Sequence, residues 1–176
     1  MTLEGSAAGP IAERFADDGS FPNSGKPLLL YRAAIATTAA GPEAMEALFA
    51  ANGWRPGWRS TIFTYDHYHS TAHEALGIAA GTARLLLGGP RGREFEVAAG
   101  DVVVIPAGVA HRRLSSGAGF LVVGAYPPGQ SWDLLRGDLA DRPHADQNIA
   151  KVPLPETDPV TGGDGPLRTL WGGAIA

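Results

Sequence analysis

Short stretches with a period of two residues, separated by glycine and proline turns, fill the chain from Ser60 to Ala125. Successive side chains of a strand point to opposite faces of a sheet, so this period predicts strands, and the glycine-rich stretch 88–92 predicts a hairpin. No segment with a helical period separates these stretches, which disfavours a parallel α/β sheet. The pattern therefore predicts an all-β sandwich or barrel of antiparallel strands over residues 60–126.

Residues 1–59 are expected to form an N-terminal arm that packs on this barrel. Within the arm, residues 10–18 are predicted to make one or two helical turns or to be loosely held, and residues 27–35 to form a strand. One helix is predicted at 42–52, because Pro42 suits the first helical position and an Asn-Gly pair follows the last apolar residue.

Residues 127–176 are rich in proline and are predicted to form an extended C-terminal tail that wraps the barrel or a neighbouring subunit. Trp132 and Trp171 are expected to anchor this tail. A chain of 176 residues is of ordinary length for a single core, so the arm, the barrel and the tail are expected to form one domain.

Composition narrows the kinds of partner and site that the chain can have. The net charge is −4 and no dense basic run occurs, so neither nucleic acid nor an anionic membrane is an expected partner. Cysteine is absent, which excludes disulfides and leaves only nitrogen and oxygen to hold a metal. No stretch resembles a signal peptide or a membrane span of about 20 apolar residues, so a cytoplasmic protein is expected.

Four of the five histidines lie in one stretch that ends at His111. His67 and His69 are two residues apart, so on a strand both would face one side of the sheet and Tyr68 would face the other. Together with the carboxylate of Glu74 and the later His111, they are the parts of a site for a divalent first-row metal ion. The alternative is a set of buried histidines that are hydrogen-bonded and bind no metal.

These residues resemble the two sequence motifs of the cupin superfamily, whose members are small jelly-roll barrels. The first motif is matched by His67, His69, Glu74 and Gly81, and the second by Gly100, Pro106, Gly108 and His111. Two positions at the motif edges differ, with Thr61 in place of a glycine and Ser115 in place of an asparagine. The stretch 67–74 also resembles a group of small single-domain bacterial cupins.

The resemblance implies an antiparallel jelly-roll barrel that holds one divalent transition metal per chain, Fe, Mn, Ni or Zn, on His67, His69, Glu74 and His111. Four ligands on a six-coordinate ion leave two positions open, as in catalytic sites. The protein would then be a metal-dependent enzyme on a small oxygenated or acidic molecule, of dioxygenase, decarboxylase or isomerase type. The alternative is a non-catalytic protein that binds a metal and a small ligand. A storage role is disfavoured by the complete ligand set, and the sequence identifies no catalytic residue.

The alternation of side chains along a strand predicts which residues lie near this site. If Glu74 faces the metal, His73 faces outward as a surface or subunit-contact residue, whereas a bulge would bring His73 inward in its place. His144 in the tail is expected to be solvated. The pocket residues are predicted to be Phe63, Tyr65, Arg113, Val122 and Tyr126. Each could instead be simple wall packing or, for Arg113, a surface arginine. One arginine and one tyrosine near a metal would suit a small acid or an enediol.

A homodimer is expected, because small barrels leave strand edges exposed. The strand near Leu28–Tyr31 or the tail would cross between subunits, and light scattering at the monomer mass of 18.3 kDa would contradict this. Trp54 and Trp58 are expected to fasten the helix at 42–52 to the barrel, with ligand stacking as the alternative.

Overall fold

Nine strands and three α-helices make up residues 9–172, the part of the chain that the computed structural model describes. The strands are β1 (Ile11–Phe15), β2 (Ser24–Tyr31), β3 (Arg55–Ser60), β4 (Glu74–Ala80), β5 (Thr82–Leu87), β6 (Arg93–Ala98), β7 (Val102–Ile105), β8 (His111–Ser116) and β9 (Leu121–Tyr126). The helices are α1 (Pro42–Ala51), α2 (Arg142–Lys151) and α3 (Pro166–Gly172), with short 3-10 helices at Thr37–Ala39 and Leu139–Asp141.

The strands form two antiparallel sheets. Six strands pair in the order β1-β2-β7-β4-β9-β3, and three pair in the order β6-β5-β8. Every one of these pairings is antiparallel. The predicted all-β fold of jelly-roll type is therefore confirmed.

The central strands of the six-stranded sheet, β2, β7, β4 and β9, are buried on both faces. Alternation along them divides the apolar side chains into two cores. In β2, Leu28 and Leu30 pack in the core between the sheets, whereas Leu29 packs in a second core on the outer face. In the neighbouring β7, Val103 belongs to the first core and Val104 to the second. Burial on both faces explains why these strands are continuous apolar runs.

Helices α1 and α3 cover the outer face of the six-stranded sheet. Met45 and Phe49 of α1 and Leu167 and Trp171 of α3 lie in the outer core and are at most 6 % exposed. Gly77 of β4 leaves space for α1, since a Cβ atom there would lie 2.1 Å from Cγ of Met45. The helix predicted at 42–52 is present, and Trp54 fastens the segment after it through its Nε1–H bond to the Thr157 carbonyl, at 3.0 Å.

Two predictions for the flanking segments are wrong. Residues 10–18 hold the edge strand β1, not helical turns or a loose arm, and Phe15 of β1 packs against the inner core. The tail is not extended throughout, because it contains α2 and α3. Each of these helices has a proline in its first turn, where the missing N–H costs nothing, so these prolines mark helix starts. The sequence pattern alone predicts extended chain at these prolines.

The turn before β8 depends on Gly108, which has a φ of 97°. Its N–H donates to the carbonyl of His69, at 2.8 Å, and a Cβ atom there would lie 2.3 Å from the Asn23 carbonyl oxygen. Both the left-handed backbone and the close approach therefore require glycine at this position.

We expect Gly108→Ala to lower the free energy of unfolding by about 2–3 kcal/mol, since strain and a backbone collision add. Gly119 is the matched control, because its φ is 75° and no atom lies within 4 Å of the position that a Cβ atom would occupy. Gly119→Ala should cost only the left-handed strain of about 1 kcal/mol. Urea denaturation of both variants measures the difference, and equal losses would contradict the collision with Asn23.

In residues 9–172 no helix is long and apolar enough to cross a membrane. The homodimer stays a prediction. The edges of the larger sheet are β1 and β3, and those of the smaller sheet are β6 and β8, so unpaired strand edges of the expected kind are present.

Candidate metal centre

His67 and His69 lie in an irregular segment between β3 and β4, not on the regular strand that the sequence predicted from residue 60 onward, since β3 ends at Ser60. An isolated antiparallel bridge joins His67 to His111, the first residue of β8, with N–O distances of 3.3 and 2.9 Å. One ligand nitrogen from each of His67, His69 and His111 lies within 4.8 Å of the other two. The bridge therefore brings the histidines of the two motifs together.

Each of the three imidazole rings places Nδ1 against a backbone carbonyl. The Nδ1 atoms of His67, His69 and His111 lie 3.0, 2.5 and 3.1 Å from the carbonyl oxygens of Tyr65, Asp133 and Val109. A carbonyl only accepts hydrogen bonds, so Nδ1 carries a hydrogen, and in the neutral ring Nε2 keeps its lone pair. Carbonyl partners of this kind fix the ring orientation and tautomer of metal-binding histidines in general.

Glu74, the first residue of β4, lies beside two of these Nε2 atoms. Its Oε2 is 3.3 Å from Nε2 of His69 and 3.1 Å from Nε2 of His111, and it has no hydrogen-bond partner although it is buried. The other oxygen, Oε1, accepts the hydroxyl of Tyr126, at 2.7 Å. That hydroxyl also accepts Nε1–H of Trp58, at 2.7 Å. Trp58 therefore fixes the hydroxyl, and the hydroxyl orients the carboxylate.

Burial and charge set the protonation of the site. Burial, and then the neighbouring His111, lowers the pKa of His67 to about 3, so this ring is neutral at pH 7. Burial alone would raise the pKa of Glu74, but His69 and His111 outweigh it and hold the pKa well below its usual range. For His69, burial acts to lower the pKa, but the Glu74 carboxylate outweighs burial and the pKa is raised. Glu74 is therefore ionised and attracts positive charge to its Oε2.

These observations fit a divalent metal. Lone pairs on Nε2 atoms and an ionised oxygen repel one another at 3.1–3.3 Å unless a cation or a proton lies among them. An unsatisfied buried carboxylate oxygen is costly, and a metal ion bound there would satisfy it. Imidazole nitrogens with one carboxylate oxygen suit Fe, Mn, Ni or Zn. Whether all four side chains bind one ion stays a prediction.

The expectation that His73 faces outward is wrong in one respect. Its side chain does point away from the three histidines, but it is only 2 % exposed. Its Nδ1 accepts the N–H of Ala107, at 2.9 Å, and its ring lies 4.8 Å from that of Trp171. His73 is buried because α3 covers this face of the sheet. The sequence predicts extended chain in that segment, so it gives no sign of this cover. His144 is exposed, as expected.

A cavity of about 550 Å³ opens onto the candidate metal centre. Its lining is mainly apolar and aromatic and consists of Gly57, Trp58, Ser60, Thr61, Ile62, Phe63, His67, His69, Glu74, Leu76, His111, Tyr126, Gln130, Ser131 and Trp132. Two of the predicted pocket residues, Phe63 and Tyr126, are among these. Tyr65, Arg113 and Val122 are not.

The three remaining candidates have other contacts. Arg113 donates from Nε to the Ile62 carbonyl, at 3.1 Å, and from Nη1 to the hydroxyl of Ser116. Tyr65 lies under the guanidinium of Arg136, whose Cζ is 3.8 Å from the ring centre. Val122 is fully buried in the core between the sheets. His111 and Arg113 pair in regular register with Leu87 and Leu85 of β5, so strand parity holds between them. Parity alone did not predict the pocket, because the hydrogen bonds of the Arg113 guanidinium hold it outside the cavity lining.

The sequence interpretation missed the part of the site that the tail supplies. Asp133 holds His69 through its carbonyl and accepts the N–H of Ser70 on Oδ1, at 2.6 Å. Trp132, predicted to anchor the tail, is 45 % exposed at the cavity and lies 5.5 Å from the ring of His69. Trp58 lines the cavity, where stacking on a ligand was only the alternative interpretation. No local pattern could have placed residues more than 60 positions away beside the histidines.

Comparison with known proteins places the chain among cupins. Residues 55–124 match the Cupin_2 family, described as a cupin domain. The uncharacterized protein YjlB of Bacillus subtilis (strain 168) is 39 % identical over 158 residues, which are 89 % of this chain and 93 % of that protein.

Solved structures with a similar arrangement are more distant. A conserved protein with a double-stranded β-helix domain from Klebsiella pneumoniae is 16 % identical, with a TM-score of 0.35, over 76 % of this chain and 88 % of that one. A variant of the oxalate decarboxylase of Bacillus subtilis is 17 % identical with a TM-score of 0.35. That match covers 65 % of this chain but only 28 % of the decarboxylase.

Proposed function

Because the chain belongs to the cupin superfamily, we propose that it is a metal-dependent enzyme that acts on a small oxygenated molecule. Its metal would be held by His67, His69, Glu74 and His111. The observation that carries the proposal is Oε2 of Glu74, an ionised and buried oxygen without a hydrogen-bond partner beside two Nε2 lone pairs. These atoms face a cavity that a small molecule can enter.

Some side chains of the site would bind the metal, and others hold the ligating side chains in position. The three imidazoles present Nε2 because backbone carbonyls hold their Nδ1–H groups, and Tyr126 orients Glu74 through its hydroxyl. A bound divalent ion would supply Lewis-acid or redox chemistry at its open positions. The aromatic side chains that line the cavity would exclude water from a bound substrate and orient it.

The test is oxygen uptake and product formation by protein loaded in turn with Fe(II), Mn(II), Ni(II) and Zn(II). The panel of substrates contains small acids, including oxalate, and catechols. We expect turnover with at least one metal and substrate, and its loss by at least about a hundredfold in His111→Ala, which removes a ligand. Tight metal and ligand binding without any turnover would instead favour the alternative, a non-catalytic binding protein.

A further inference from the structure

The cavity carries no cationic side chain: among residues 9–172, neither a lysine nor an arginine lines it. Its ionisable groups are the three histidines, Glu74 and Tyr126. Arginines close along the chain to lining residues have other partners: Arg59 pairs with the Glu46 carboxylate, Arg112 lies 3.5 Å from the Asp66 carboxylate, and Arg113 donates to the Ile62 carbonyl. A ligand in this cavity therefore meets no guanidinium or ammonium group.

This charge distribution disfavours a small dianion as the ligand of the cavity. Glu74 contributes one negative charge to the centre, so a divalent ion bound there would leave a net charge of +1 for the ligand to meet. Proteins that recognise carboxylates generally add an arginine, whose planar fork matches the two oxygens. The predicted role of Arg113 in binding an acid lacks support, because its side chain is engaged elsewhere.

Four of the fifteen residues that line the cavity are phenylalanine, tyrosine or tryptophan, and two of these four are unusually accessible. Phe63 is 46 % exposed and Trp132 is 45 % exposed, although both are large apolar side chains. Each lies beside a histidine of the centre, with ring centres 5.2 Å apart for Phe63 and His67 and 5.5 Å apart for Trp132 and His69. Trp132 also lies roughly parallel to Tyr126, at an interplanar angle of 23°.

Exposed aromatic faces beside a concave polar site are typical of ligand-binding surfaces, since the ligand removes them from water. The cavity volume of about 550 Å³ also suits a ligand with a ring. Pockets for drug-sized ligands span roughly 300–1,000 Å³, so a two-carbon acid would leave most of this space to water.

We propose that the substrate class of this site is an uncharged, planar aromatic molecule with neighbouring oxygen atoms, such as a catechol. Its ring contacts Trp132 and Phe63, and its oxygens face the Nε2 atoms and Glu74. This inference rests on the proposed function and adds the substrate class to it. It excludes small dicarboxylates as the preferred ligand.

The test is calorimetric titration of Zn(II)-loaded protein with candidate ligands. Zinc is not redox-active, so binding is measured without oxidation of the ligand. Three probes are compared: catechol, cis-1,2-cyclohexanediol, which keeps two hydroxyls but is not aromatic, and oxalate. We expect the Kd of catechol to be at least about tenfold lower than that of either other probe. Trp132→Ala and Phe63→Ala should each raise the Kd of catechol by about three- to tenfold, the loss expected for one aromatic contact, with metal content unchanged.

Leu139→Ala is the matched control, because Leu139 is 65 % exposed but does not line the cavity. It should leave the Kd of catechol unchanged. Oxalate binding as tightly as catechol, or Trp132→Ala and Phe63→Ala both without effect, would overturn the inference. If the protein retains no metal, the proposed function fails, and the same ratios measured on the metal-free protein still decide the ligand class.

Discussion

The His111→Ala variant is expected to bind almost no divalent metal, whereas the unaltered chain binds close to one ion per chain. His111 presents one of the three clustered nitrogens, and its Nε2 is 3.1 Å from the Glu74 carboxylate. Removing one ligand of four takes away a bond to the ion, so affinity should fall by at least about a hundredfold. Metal analysis of the purified proteins by mass spectrometry measures the change.

Glu74→Ala should have a similar effect on metal content, because it removes the only carboxylate of the predicted set. His73→Ala is the informative comparison, since it deletes a neighbouring buried histidine that faces α3 instead of the centre. It is expected to lower stability while leaving metal content nearly unchanged. His144→Ala, at an exposed position, controls for the loss of a histidine as such. Metal retained by Glu74→Ala but lost from His73→Ala would show that the predicted ligand set is wrong.

Asp158→Ala is expected to lower the free energy of unfolding by about 3–5 kcal/mol, the largest effect on stability that we predict. The carboxylate of Asp158 is fully buried and accepts four hydrogen bonds. Its Oδ1 accepts the N–H groups of Val160 and Thr161, at 2.8 and 3.0 Å. Its Oδ2 accepts the N–H of Leu167, at 3.0 Å, and the hydroxyl of Tyr31.

These bonds connect the tail to the sheet. Tyr31 ends β2, and Leu167 lies in α3, so one carboxylate joins the two. Burial, and then the bond to Asp158, raises the pKa of Tyr31, so its hydroxyl remains a donor across the ordinary pH range. Without the carboxylate, the hydroxyl and the N–H of Leu167 would be buried and unsatisfied, which is why the loss exceeds that of a surface substitution.

Thermal and urea denaturation measure this loss, which corresponds to a fall in Tm of about 6–20 °C for a chain of this size. Asp164→Ala is the control, since Asp164 is exposed in the same segment, and it should change stability by less than about 0.5 kcal/mol. Tyr31→Phe should cost less in the Asp158→Ala background than alone, because the two side chains share a bond. Strictly additive losses would show that this bond contributes nothing.

Part of the site follows from local patterns. The pairs His67/His69 and Gly108/His111 are recognisable from their spacing, but only the resemblance to the two cupin motifs implied that these distant pairs approach one another. A strand alternates with a period of two, and a left-handed turn requires glycine, whatever surrounds them. The strands from β4 to β9 and helix α1 were predicted for the same reason, since their apolar periods and boundary residues lie within each element.

Other features could not be predicted because they arise from contacts between distant segments. Trp132 and Asp133 reach His69 only after the tail has returned across the sheet, and α3 decides that His73 is buried. The prolines of the tail are equally compatible with extended chain and with the first turns of helices, and packing selects the second.

The sequence by itself determined the strands of an antiparallel β fold, because their alternation and turns depend on residues close together along the chain. Its two cupin-like motifs also implied which side chains meet at the candidate centre. Only the tertiary structure decided what surrounds that centre: an aromatic cavity free of cations within the described residues, Arg113 engaged elsewhere, and a tail held by Asp158. The physical reason is that a local pattern specifies which way a side chain faces. What it then touches depends on the folding of segments far along the chain.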